Sequence, residues 1–189
     1  ISFLSQQNVD RFCLYHLVYS EKGKARPEDD IDNALKRETL DTFFSAIDNN
    51  NMNMEILTVD NHADGIYLYN KVKNKEEVLV SESLLLSSSG CSAGRKLASI
   101  DSKGDVHPCQ FWGHVSLGNI KERRFSEIWN DQDNEFLNTL RDGRNRLKGR
   151  CGRCKYKEGC GGCRLRAEVK FSDMWEEDPA CYLTEEEIS

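Results

Sequence analysis

Seven cysteines carry most of the chemistry open to this sequence. Cys151, Cys154, Cys160 and Cys163 stand within the thirteen residues CGRCKYKEGCGGC, while Cys91, Cys109 and Cys181 lie far from them. Thiolates ligate zinc and iron–sulfur clusters alike. Two C-x2-C pairs in so short a span are poor geometry for separate disulfides and suit a metal. On spacing alone, tetrahedral zinc and an iron–sulfur cluster stand level. The eighth cysteine, Cys13, lies in an apolar run and reads as an inert buried thiol.

Charge falls unevenly around these thiols. Residues 141–170 hold eleven Lys or Arg against three acids, whereas residues 171–189 hold seven acids and no base. A solvated basic face is the bland explanation of such a run. The coincidence with the cysteines favours another: cations that offset thiolates. A net charge of −6 argues against a general nucleic-acid surface. No run approaches the roughly 20 apolar residues of a membrane span, and no secretory signal is visible, so the expectation is a cytoplasmic protein with no membrane partner.

The elements that must position the cysteines fall into two parts. RFCLYHLVY (Arg11–Tyr19) and MEILTV (Met54–Val59) read as strands. Between them Leu40, Phe43, Phe44 and Ile47 recur at helical spacing on one apolar stripe. Strand, helix, strand predicts a βαβ unit with parallel strands. A helix and its exit are expected over 66–87, with a boundary at 86/87 near LLLSSSG. Beyond it, Leu97–Phe111 reads as a hairpin turning at Ser102–Asp105 around Gly104. Ser126 is expected to cap a short helix bearing Ile128 and Trp129; Phe136, Leu137 and Leu140 mark another that Gly143 ends. From Lys148 onward the chain reads as loops and short turns stapled by ligation. Trp112, Trp129 and Trp175 are expected to pack beneath those loops, and Gly161 and Gly162 to allow a tight path between ligands. The chain opens at Ile1 inside an apolar–polar stretch, which reads as a piece of a longer polypeptide.

The order Cys91-x12-Gly104-x4-Cys109, then C-x2-C-x5-C-x2-C, then Cys181, resembles the SPASM domain, the auxiliary-cluster module of many radical SAM enzymes. One departure stands out: two residues separate Cys160 from Cys163, where that family has three. YHLVYS (15–20), LASIDSKGDVHPCQFW (97–112), LGNIKERRFSEIW (117–129), LKGRCGRC (147–154) and DPACYLTEEEI (178–188) resemble the haem-biosynthesis branch of radical SAM proteins. The resemblance covers nearly the whole chain.

It implies an α/β segment, the end of a partial TIM-like barrel over residues 1–86. A small irregular α+β iron–sulfur domain with a β-hairpin follows over 87–189. It also implies that Cys151, Cys154, Cys160 and Cys181 hold one 4Fe–4S cluster. Cys91, Cys109 and Cys163 would hold a second, whose fourth ligand stays open. The implied activity is a radical SAM enzyme of the siroheme-dependent haem pathway that removes acetate side chains to give iron coproporphyrin. Its partners would be a tetrapyrrole substrate and a reductant such as ferredoxin or flavodoxin. The C-x3-C-x2-C triplet that binds the S-adenosylmethionine cluster is absent from these 189 residues, so the chain is expected to be inactive alone.

In barrels, chemistry gathers at the carboxyl ends of strands. His16 stands at the first strand's end, and Asp60, His62 and Asp64 follow the second, in TVDNHADG. His16 and His62 are therefore candidates to contact the tetrapyrrole, against the plainer role of loop histidines. His107 and His114 flank Cys109 and could ligate or shield a cluster, although a hairpin-surface role is the commoner one. Rival readings are a sibling enzyme that modifies propionates or matures peptides, an electron-carrier module, and a zinc-stapled binding module.

Overall fold

The computed structural model describes residues 2–7, 9–19, 26–50, 54–73 and 90–189. A short helix α1 (Ser2–Gln6) precedes β1 (Arg11–Tyr15), α2 (Asn33–Asn50), β2 (Glu55–Val59) and α3 (Ala63–Val72). The expected βαβ order is present. β1 pairs with β2 in parallel, Arg11 opposite Glu55 through Tyr15 opposite Val59. The first strand is shorter than its apolar run suggests. Beyond Tyr15 one more ladder bond forms, His16 N to Val59 O at 3.0 Å, and then the chain departs.

α2 begins where Asp32 Oδ1 accepts the Leu35 N–H at 2.7 Å, an N-terminal cap. Its apolar stripe lies against the sheet and α3: Phe12 stacks on Phe43 with ring centroids 5.4 Å apart, and Leu40 is fully buried beside Ile66 and Tyr67. The proposed 86/87 boundary, and the end of the expected 66–87 helix, lie outside the described residues.

The second part is richer in regular structure than its sequence suggests. β3 (Ser99–Ile100) and β4 (Asp105–His107) form the expected hairpin, with Gly104 at φ +95° in its turn. A third strand, β5 (Gly118–Asn119), pairs antiparallel with β4; two residues around a glycine carry no alternation by which it could be read. Helices α4 (Phe125–Trp129) and α5 (Glu135–Asp142) follow. Ser126 does not cap α4. It lies inside the helix, and Glu127 instead reaches back to the Arg124 N–H at 3.0 Å. α5 ends at Gly143, but not by a left-handed cap: Gly143 has φ −81° and leads into a 3-10 turn, Gly143–Arg146.

After Lys148 come α6 (Gly149–Arg153), α7 (Arg164–Phe171) and α8 (Glu185–Ile188). The expectation of loops alone is corrected most by α7. Its CRLRAEV stretch hides the helix because two arginines occupy positions that are buried. Trp112 is fully buried, its Nε1–H donating to Glu168 of α7 at 2.7 Å.

The two parts share their apolar interior. Leu40 of α2 and Ile66 and Tyr67 of α3 pack in one cluster with Tyr156, Tyr182, Leu183 and Ile188 from the C-terminal segment. Across the same contact Arg37 forms a bidentate pair with Glu187 at 2.7 and 3.0 Å.

Candidate metal centre

Four cysteines line one cavity beneath α3. Cys151 lies in α6, Cys154 at its end, Cys160 in the following loop and Cys181 in the C-terminal segment; Ala63 and Ile66 close the other side. The backbone reaches this arrangement through Gly161 and Gly162, with φ +63° and +60°. A Cβ on Gly162 would lie 3.2 Å from Cys151 Sγ and 2.7 Å from the Asp178 Cβ. Glycine is thus required twice over, by conformation and by space.

Hydrogen-bond donors converge on the sulfurs. Asp178 N–H points to Cys151 Sγ at 3.3 Å, Arg164 Nη2 to the same sulfur at 3.6 Å, and Tyr156 N–H to Cys154 Sγ at 3.4 Å. Burial pushes all four thiols up, Cys181 to about 12, and these donors oppose it. Such a site favours neutral thiols until a cation deprotonates them.

All eight cysteines are free, and among the described residues no three His, Cys, Asp or Glu side chains converge on a single-ion site. Four soft donors around one apolar cavity, with N–H groups aimed at sulfur, fit an iron–sulfur cluster. That group spreads its ligands over several irons and is tuned by such hydrogen bonds.

Cys91, Cys109 and Cys163 gather in a second place, packed with Ala93, Trp112, Leu140 and Leu165. Burial pushes Cys109 up to about 11 and Cys163 to about 12. Cys91 runs the other way. Burial raises it, but its neighbours, the His62 side chain first and then the N–H groups of Ala93 and Arg164, outweigh the rise, and the thiol is lowered to about 7. The two groups touch through the backbone, Cys91 N to Cys160 O at 3.4 Å.

A buried ion pair that the sequence reading missed joins both groups to the strand ends. Arg166 and Asp178 face each other at 2.9 and 3.0 Å with essentially no solvent exposure. Arg166 also donates to the carbonyls of Asp60 (2.7 Å) and Leu17 (3.2 Å), at the ends of β2 and β1. Asp178 accepts from the N–H groups of Cys163 (2.7 Å) and Ala180 (3.1 Å). Burial raises its carboxyl, yet the Arg166 charge and hydrogen bonds hold it well below the usual carboxylate range. The signal was available: an aspartate three residues before Cys181 in DPAC and two arginines in a helix, within the basic run already set beside the thiols.

Asp60, His62 and Asp64 do meet, with Asn61 and Gly90, at one side of a cleft of about 550 Å³ whose other walls are apolar side chains of β1, β2, α2 and α3. Asp60 has φ +71°, a left-handed conformation that costs energy in a non-glycine residue and recurs at functional sites. His62 starts α3. His16 is turned to Asp64, Nε2 to Oδ2 at 3.0 Å, with both side chains under a tenth exposed; Asp64 also accepts the Tyr182 hydroxyl at 2.6 Å. His107 and His114 turn from the thiols. His107 Nδ1 donates to the Val115 carbonyl at 2.7 Å, and His114 Nε2 lies 3.1 Å from Glu168.

This is a cysteine-rich module docked on the end of a parallel βα unit, its thiols gathered in two places as iron–sulfur ligation requires. Residues 91–155 match the model of the SPASM family, an iron-sulfur cluster-binding domain. It is 39% identical over 98% of its length to the Fe-coproporphyrin III synthase of Methanosarcina barkeri and 36% identical over 97% to the pre-heme d1 synthase of Dinoroseobacter shibae. It spans about half of those relatives, 49% and 47% respectively. In fold it is similar to Streptococcus suis SuiB, with a TM-score of 0.64 at 23% identity, over 96% of this chain and 41% of that one.

Proposed function

We propose that this chain is the cluster-bearing part of a radical SAM enzyme of haem synthesis. The enzyme would remove acetate side chains from 12,18-didecarboxysiroheme to give iron coproporphyrin. Similarity along 98% of the chain to an Fe-coproporphyrin III synthase carries the reading. In it, Cys151, Cys154, Cys160 and Cys181 hold one auxiliary cluster, and Cys91, Cys109 and Cys163 hold a second. The bound clusters would supply electron transfer or an iron site near the substrate. S-adenosylmethionine and its own cluster belong to a part beyond these residues, so the chain alone would leave S-adenosylmethionine uncleaved. Residues 1–86 would close one side of a partial barrel and 87–189 would form the cluster domain.

The strand ends supply the wall that faces substrate. His62 and Asp60 stand in the cleft, where an imidazole and a carboxylate could orient a tetrapyrrole's side chains. His16 is buried against Asp64 and would act from behind that wall, holding Asp64 in place. A sibling activity on propionate side chains is the second reading, favoured by the 36% identity to a pre-heme d1 synthase.

Incubating the anaerobically purified full-length protein with didecarboxysiroheme, S-adenosylmethionine and a low-potential reductant tests this directly. Mass spectrometry is expected to show loss of the two acetate groups. A product altered at its propionates selects the sibling activity instead. Zinc in place of iron and acid-labile sulfide overturns both.

A further inference from the structure

The second cysteine group has three thiols, and a four-iron cluster has four corners. No spare thiol remains. Cys151, Cys154, Cys160 and Cys181 line the other cavity, and Cys13 sits in β1 opposite Leu57 of β2. Among the four histidines, three are turned elsewhere: His16 to Asp64, His107 to the Val115 carbonyl and His114 to Glu168. His62 is the exception. Its imidazole is the side chain that acts most strongly on the Cys91 thiol, which places it beside that sulfur. Its own carbonyl oxygen lies 3.5 Å from Cys160 Sγ, so its backbone touches the first cysteine group. It precedes α3, two residues after the strained Asp60, and shares the cleft wall with Gly90, the neighbour of Cys91.

We propose that His62 is the fourth protein ligand of the cluster held by Cys91, Cys109 and Cys163, binding iron through an imidazole nitrogen from the wall of the strand-end cleft. Imidazole replaces thiolate in known iron–sulfur sites, and the exchange of an anionic ligand for a neutral one raises the reduction potential. Asp60 also lies near Cys109, but a carboxylate suits harder cations and is the poorer iron–sulfur ligand. An imidazole bound to iron through one ring nitrogen could meet a tetrapyrrole side chain only through the other, so the two roles proposed for His62 use different nitrogens. The inference rests on the proposed second cluster.

The full-length protein, made with 15N-labelled histidine and purified without oxygen, is reduced and studied by pulsed EPR. Strong coupling to a labelled histidine nitrogen is expected. His62→Cys should retain the iron and sulfide content, abolish that coupling and lower the cluster's midpoint potential. His62→Gln, of similar size, should also lose the coupling, so the outcome does not depend on one variant folding. Clusters present with no strongly coupled histidine nitrogen, or with coupling that survives in the variants, would overturn the ligand assignment alone. An iron and sulfide content that the double variant Cys91→Ala, Cys109→Ala leaves unchanged would show that no second cluster exists, and the ligand assignment would fall with it.

Discussion

At the scale of single residues, the least expected feature is a pair of full charges placed in the interior. Arg166 and Asp178 are each essentially unexposed, and their attraction must offset the loss of hydration of both. The geometry explains how. The two groups exchange two hydrogen bonds, and their remaining capacity is taken up by backbone at Asp60, Leu17, Cys163 and Ala180. Removing one partner strands the other. Arg166→Met is expected to destabilise the protein by about 3–5 kcal/mol, whereas adding Asp178→Leu should recover part of that loss. The thermal unfolding midpoints of both variants, measured at equal iron content, check this. A double variant no better than the single one would show that the pair matters through its backbone bonds and not through its charges.

The cysteines were legible at this scale because their types and spacing are chemistry in themselves. Arg166 and Asp178 were not. In a sequence they look like two more surface charges, and only tertiary burial reveals them. The same holds for His62, whose placement at a strand end was readable but whose contact with Cys91 joins residues that stand far apart in the chain.

At the scale of elements, periodicity served where an element had one apolar face and failed where it was short or lined by charge. α2 was readable because Leu40, Phe43, Phe44 and Ile47 form a stripe. β5 has two residues and α7 buries arginines, so neither carries the pattern that betrays an element. Gly143 shows how a correct boundary can have the wrong cause. The glycine does end α5, but its φ of −81° is open to any residue. What it lacks is room: a Cβ there would lie 1.9 Å from Cη2 of Trp175. Gly143→Ala is therefore expected to cost about 1–3 kcal/mol by overpacking and to alter the Trp175 fluorescence. Trp175→Phe removes the benzo ring that the methyl would strike and should restore stability. A left-handed cap would give the opposite result, a loss that no change at position 175 could relieve.

At the scale of the whole molecule, the proposed ligands and the core are parts of one structure. Cys154, Cys160 and Cys181 flank the cluster of Leu40, Ile66, Tyr67, Tyr156, Tyr182 and Ile188, so the four-cysteine cavity lies against the interior that α2 and α3 depend on. Burial holds these thiols protonated in the absence of metal, leaving polar S–H groups around a cavity with nothing to ligate. Two parallel strands are too few to stand alone, and much of the apolar cover of α2 and α3 comes from the C-terminal segment that Cys181 anchors. Metal loss should therefore propagate. Chelating the iron under anaerobic conditions is expected to raise amide hydrogen exchange in the cysteine-bearing segments and in α2 and α3 together. Restoring iron and sulfide should reverse both changes in parallel. If instead the exchange of α2 and α3 stayed at its metal-loaded rate while residues 151–181 opened, the shared interior would not couple the two parts. The cluster would then staple only its own loops.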